Sequence, residues 1–280
     1  MSSHLRVSPG GGQGAGSWYR AVLEPHRRIA TGAYVGLAAA SFGFVVLLWS
    51  VLTYGRFVQP FFLPSPGNVA TTVWELFTTQ GVWPHVVAST YRVVVGWFLS
   101  AILAIPLGVL MASYHSVEAL AEPLNDVIRY MPVVAFVPLT ILWLGVGDEQ
   151  KIAVIFLGTF FQLVLMVADA VSKVPRSLLE TAQTLGVGSH ESVWKIALPG
   201  AWPMIFDHLR VTMGWAWSYL VVAELVASSR GIGFMIIQAQ RLLQTRVVIA
   251  GILIVGFLGL AFDLMFKLLT PVVCPWNRRH

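Results

Sequence analysis

Few side chains in this 280-residue sequence are of a type that does chemistry: charged residues make up 11% and apolar residues 56%. Two ionisable residues stand near the ends of long apolar runs, Arg92 and Glu224. An unpaired charge in that setting costs several kcal/mol or forces local hydration. The two are therefore expected to form a buried pair, with attraction of an anion by Arg92 as the sharper alternative. Asp263 and Lys267, four residues apart, read as an ion pair on one helix face. Ser177 and Glu180 have the Ser-x-x-Glu spacing of a capping box, in which hydroxyl and carboxylate each satisfy an orphan backbone donor at a helix start.

Other chemistries find no residues to run them. No Gly-x4-Gly-Lys-Ser/Thr occurs, so nothing cradles a nucleotide phosphate with the necessary lysine. The seven histidines show neither His-x3-His nor a Cys/His cluster, which predicts no metal site. There is no Gly-x-Ser-x-Gly, and no catalytic residue is assigned, so the chain is not expected to be an enzyme. No cofactor is expected in this chain. Cys274 is the sole cysteine, which forbids an internal disulfide and reads as a reduced structural thiol. The net charge of +5 comes without a basic run interleaved with aromatics, so nucleic acid is not an expected partner.

The elements that must position these residues are apolar helices. Mean hydropathy is +0.73, and a helix of about 20 apolar residues crosses the hydrocarbon core of a bilayer. Lipid offers backbone groups no partner, so spans are helical. Six are predicted, at approximately 33–54, 90–112, 128–146, 151–171, 205–226 and 247–269. Arg20, Arg27 and Arg28 before the first span and Arg278 and Arg279 after the last place both termini in the cytoplasm. Residues 172–204, with Lys173, Arg176 and Lys195, then fall on the same side, whereas Arg230, Arg241 and Arg246 fall on the other and break the charge rule. The Gly- and Ser-rich residues 1–17 read as a disordered tail with no signal-peptide features. Pro132 and Pro138 inside the third run each predict a kink or break, either lining a pathway or serving only packing. Gly145 and Gly147, followed by Asp148-Glu149-Gln150-Lys151, read as a tight turn whose role is connection.

Between the fourth and fifth runs lies a polar hairpin. A helix is expected to start at Ser177, with Leu178, Ala182 and Leu185 on one face, and to end where Gly186 and Gly188 can turn left-handed. Ser189 is expected to cap a second short helix that carries Glu191 near its start and stops at Pro199.

The spacing Glu180-x-Ala182-x3-Gly186-x9-Ile196-x-Leu198-Pro199 resembles the cytoplasmic "EAA" loop of bacterial ABC importer permeases, with Thr181 where a second alanine is usual. Phe62-Leu63-Pro64-Ser65-Pro66, the stretch Pro132 to Gly147, and Ala223-Glu224-Leu225 with Arg230 to Met235 are similar to the nitrate/sulfonate/taurine/bicarbonate branch of that family. The resemblance implies an all-α, polytopic membrane protein of six spans with the type I importer permease fold. Residues 1–30 and 273–280 would be cytoplasmic tails, 31–272 the permease domain, and about 175–200 the coupling loop. It implies a homodimer with the translocation pathway between the two copies, two ATPase subunits that bind ATP and Mg, and an extracytoplasmic substrate-binding protein. Glu180, Thr181, Ala182, Gly186, Ile196, Leu198 and Pro199 would couple to the ATPase, while Arg92, Pro132, Pro138 and Glu224 are pathway candidates. The expected location is the bacterial inner membrane and the expected cargo a small anion. The competing reading, an ion-coupled secondary transporter, commonly shows inverted repeats, and no clear repeat is seen.

Overall fold

The computed structural model describes residues 31–226 and 228–276. The predicted N-terminal tail, most of the C-terminal tail and the terminal arginines used for orientation lie outside the described residues. The chain divides into two compact units, Met1–Pro60 and Phe61–His280. In the first, helix α1 (Thr31–Tyr54) is 24 residues of almost unbroken apolar sequence, about 36 Å long at the usual rise.

The second unit is entirely helical among its described residues. Helix α2 (Pro66–Thr78) starts where Ser65 accepts a hydrogen bond from the Asn68 N–H at 3.3 Å and Pro66 pre-sets the first turn. Helices α3 (Trp83–Ser113), α6 (Asp148–Ser172), α9 (Leu198–Val226) and α11 (Thr245–Val273) follow. Their cores meet through Val93, Ala104, Ile155, Leu163, Val167, Ile205, Ala216 and Leu220, all fully buried. Helices α3 and α6 approach closely because Gly108 has no side chain: a Cβ there would lie 2.6 Å from the Val164 carbonyl oxygen. Small residues at such crossings replace the hydrophobic driving force that lipid cannot supply.

Four described helices, α1, α3, α6 and α11, are long and apolar enough to span a membrane. Helix α9 is 29 residues long but carries Asp207, Arg210 and Glu224. The third expected span, 128–146, is not a straight helix. Helix α4 (His115–Arg129) ends before Pro132, a tight 3-10 turn covers Val133–Phe136, and α5 (Val137–Leu144) leaves at 90° to α4. Counted as one broken span, this pair makes the fifth apolar crossing element. Pro132 stands at the break in extended conformation, φ −65° and ψ 121°. Pro138 breaks nothing, because it sits in the first turn of α5 where its missing N–H has no intrahelical partner to lose. Asn125 Nδ2 donates to the Phe161 carbonyl at 3.0 Å and ties α4 to α6 beside the break.

Candidate functional site

The described polar residues collect at the two ends of the bundle and in a cleft between them. At one end, the hairpin after α6 is built from α7 (Arg176–Thr184) and α8 (Ser189–Ser192). The expected capping box at Ser177 and Glu180 does not form. Pro175 occupies the capping position, so Ser177 is already inside the helix, and its carbonyl accepts from Thr181 Oγ1 at 2.7 Å. The C-terminus does end as the glycine predicted. Gly186 has φ 86°, its N–H bonds the Gln183 carbonyl at 3.0 Å, and Val187 N–H bonds the Ala182 carbonyl at 3.0 Å. This is a Schellman closure, which an L side chain resists at the left-handed position.

Gly188, by contrast, is extended at φ −64° and caps α8 in place of Ser189, whose hydroxyl makes no capping bond. Nor does Pro199 stop the helix. A π-type turn over Val193–Ala197, with Leu198 N–H reaching back to the Val193 carbonyl, widens the backbone so that the pyrrolidine ring fits in the first turn of α9. The hairpin is thus continuous with a membrane-length helix. Glu180, Thr181, Gly186 and Pro199 are exposed, Ile196 and Leu198 half-buried and Ala182 buried. Leu178 and Leu185 turn outward, 51% and 79% exposed, while Leu179 packs on the core. Tyr114 Oη and His190 Nδ1 lie 2.7 Å apart and join the end of α3 to α8. Lys195 pairs with Glu191 one helical turn away, and this holds the exposed Glu191 carboxyl below the usual glutamate range. Just beyond α11 the single thiol, Cys274, is buried; burial and the nearby Asp207 carboxylate push it up, which keeps it protonated and unreactive.

Along α3, Arg92 lies about 30 Å from this end at ~1.5 Å per residue. It is paired with Glu224 as expected, Nη1 to Oε1 at 2.6 Å, with the glutamate fully buried. The pair belongs to a larger network. Arg92 Nε donates to Asp148 Oδ1 at 2.7 Å and Nη1 donates to the Arg230 carbonyl at 2.7 Å. Glu224 also accepts from Ser89 Oγ at 2.8 Å and from Gly233 N–H at 2.8 Å. Ser89 Oγ receives the Ile232 N–H at 2.9 Å, and His85 Nδ1 the Gly231 N–H at 3.1 Å. Gly231 has φ 127°, and a Cβ on it would stand 2.3 Å from the Glu224 carboxylate. Beside them Lys151, 2% exposed, donates to the Gly147 carbonyl at 2.9 Å. Two cations and two carboxylates with their hydrogen bonds therefore fix the ends of α3, α6 and α9 and the start of α10 (Ile232–Arg241). Asp148 to Lys151 are not the mere connection expected; they form the first turn of α6, Asp148 belongs to this network, and Lys151 lies buried beside it. Sequence reasoning missed Ser89, Asp148 and Lys151. Ser89 is one helical turn from Arg92, a spacing that carries meaning only once the partner is known.

At mid-depth, a cleft of about 550 Å³ opens where α4 breaks. Pro132 lines it, but Arg92, Pro138 and Glu224 do not. Its polar lining is Arg129, Tyr130, Gln162, Ser218 and Tyr219, among Met131, Phe136, Phe161 and Trp215. Tyr219 reaches the wall because Gly158 leaves room: a Cβ there would lie 2.5 Å from the ring.

Comparison with known proteins places this architecture. The family described as binding-protein-dependent transport system inner membrane component matches residues 104–273. The taurine transport system permease protein of Escherichia coli is 31% identical over 248 residues, 87% of this chain and 90% of that protein. The putative aliphatic sulfonates transport permease protein of Bacillus subtilis is 33% identical over 236 residues, covering 84% and 86%. Among solved structures, an inward-facing MetNI methionine ABC transporter shares the fold, with a TM-score of 0.60 at 20% identity over 72% of this chain and 98% of that one. The chain therefore belongs to the family of binding-protein-dependent transport system inner membrane components, as a multi-pass helical permease.

Proposed function

We propose that the chain forms, as a homodimer, the membrane pathway of an ATP-driven importer for a small sulfonate-bearing solute of the taurine or aliphatic sulfonate type. The observation that carries this reading is the exposed hairpin at the end of the bundle, rigidly closed at Gly186 and continuous through the π turn with α9. Its outward-facing Leu178 and Leu185 flank Glu180, which is the surface a separate ATPase subunit would grip. In this reading Glu180, Thr181, Ala182, Gly186, Ile196, Leu198 and Pro199 couple the permease to ATPase subunits that bind ATP and Mg. The hairpin and both termini are cytoplasmic, the Arg92 end faces a substrate-binding protein, and the tails and permease domain keep the boundaries given above.

Closure of the ATPase pair draws the two hairpins together, and because α8 runs through the π turn into α9, the movement passes into the pathway wall. A ligand or partner shifts such an equilibrium only through unequal affinity for the two arrangements. The test is uptake by proteoliposomes holding the permease, its ATPase and its binding protein. Import that needs internal ATP and is insensitive to a collapsed proton or sodium gradient supports the reading; import driven by a gradient without the ATPase refutes it.

A further inference from the structure

The cleft beside the broken α4 holds an unusual set of side chains for its depth. Its lining contains one formally charged residue, Arg129, and no carboxylate. Gln162, Ser218 and Tyr219 also line it, and among the described residues none of their side chains makes a hydrogen bond to protein. All four can donate hydrogen bonds. Facing lipid, that many unpartnered donors would be costly, so the cleft is either hydrated or occupied. Arg129 is braced rather than loose. Its Nη2 donates to Tyr130 Oη at 2.9 Å and its guanidinium lies 4.5 Å over the Tyr130 ring; Nε is 2.9 Å from Asp126, an ion pair without hydrogen-bond geometry, and Asp126 does not line the cleft. Donors from α6 and α9 that line one cleft with a fixed positive charge suit a group with several acceptor oxygens and a single negative charge. The apolar remainder of the wall, Phe136, Phe161 and Trp215, suits a short hydrocarbon tail.

We infer that this cleft is a transit site for a small oxyanion such as a sulfonate, in which Arg129 supplies the charge and Gln162, Ser218 and Tyr219 the hydrogen-bond donors that select it. The inference rests on the import function proposed above and assigns that function's anion selectivity to this chain as well as to the binding protein. Gly158 is a positioning residue, since it sets where the Tyr219 ring stands. Arg92, the more obvious cation, is excluded from this role because its guanidinium is consumed by Asp148, Glu224 and the Arg230 carbonyl.

Two measurements test it. In a Cys274→Ser background, Ser218→Cys provides the one thiol, and its modification rates by a sulfonate-bearing and a trimethylammonium-bearing methanethiosulfonate are compared in the assembled importer, each relative to a free thiol. The sulfonate reagent is expected to react faster, and Arg129→Gln to cut that preference roughly tenfold, as loss of a nearby unit charge in a partly hydrated site implies. In parallel, uptake of a simple alkanesulfonate such as ethanesulfonate is expected to fall at least tenfold in Arg129→Gln and to recover in part in Arg129→Lys. No charge preference at the introduced thiol, or a preference untouched by Arg129→Gln, overturns the site while wild-type uptake leaves the import function standing. Wild-type rates of uptake in Arg129→Gln also overturn it. A wild-type importer that carries no anion at all would remove the import reading and this one together, a failure visible before any variant is made.

Discussion

The two polar ends of the bundle use the same residue types for opposite purposes. At the Arg92 end, Arg92 and Glu224 are withdrawn from water with their partners built in: Glu224 is fully buried and receives Arg92, Ser89 and the Gly233 N–H, and only Asp148 at the rim stays half-exposed. At the hairpin end, Lys195–Glu191 and Lys173–Asp169 sit in solvent at helical spacing, each a local pair that commits no backbone beyond its own turn. Exposed pairs contribute little to stability, whereas a buried charge stripped of its partner costs far more than the pair itself contributes. One end is therefore a fixed point and the other, in the function proposed above, the surface an ATPase would grip. A helix assembly that must move needs both.

The sharpest way to break this contrast is to remove one partner of the buried network. Glu224→Ala leaves Arg92 and Ser89 facing an empty, buried site, and is expected to cost about 3–5 kcal/mol. Thermal unfolding in detergent measures it, and a melting temperature within a degree of wild type would mean that the network bears no load. Arg92→Leu combined with Glu224→Leu, which removes both charges, is expected to cost less than either single change. Gly231→Ala comes next. The added methyl meets the Glu224 carboxylate at 2.3 Å and the residue must hold φ 127°, a region nearly closed to L side chains, so a loss of roughly 1–3 kcal/mol is expected. The same melting experiment reads it, and a melting temperature within a degree of wild type would show that the network gives way to the methyl at no cost.

How legible each end was in the sequence follows from the range of the interactions that make it. Gly186 was readable because a left-handed helix end is a local event: the turn needs that residue type within a few positions of a helical face. The failures in the same hairpin were failures of precedence between neighbours. Pro175 took the capping position two residues before Ser177, Gly188 took it one before Ser189, and the π turn absorbed Pro199. The buried network was half legible. Arg92 and Glu224 announced themselves as charges near the ends of apolar runs, but Ser89 and Asp148 are ordinary polar residues in helix-face or helix-start positions until distant segments bring Glu224 and Arg92 to them. The cleft was hardest: Pro132 signalled the break, but nothing local shows that Gln162 and Tyr219 line one space.

Smaller in stability, and opposite in where it shows, is Gly186→Val. The substitution forces a β-branched residue to hold φ 86°, at a cost of about 1–2 kcal/mol confined to the hairpin. Because Gly186 is itself exposed and a Cβ on it would meet nothing within 4 Å, the melting temperature should shift by only a few degrees. Retention of the ATPase on an affinity column carrying the permease should nevertheless be lost. If the ATPase is retained with wild-type yield and uptake is unchanged, Gly186 does not shape the coupling surface.

The smallest effect should come from Glu191→Gln, and its smallness is the informative part. Lys195 holds the Glu191 carboxyl below the ordinary range, so the folded pKa is lower than the unfolded one. Whatever stability this adds is present above the unfolded value and disappears as pH falls through the folded value, on the acid side of the normal glutamate titration. Glu191 is exposed, and water and salt screen the pair. The melting temperatures of wild type and Glu191→Gln should therefore coincide at neutral pH and stay within about a degree of each other as pH is lowered toward 4. A clear neutral-pH gap that closes on acidification would show that the hairpin's surface pairs carry real stability, and the division between a fixed end and a gripped end would lose its energetic basis.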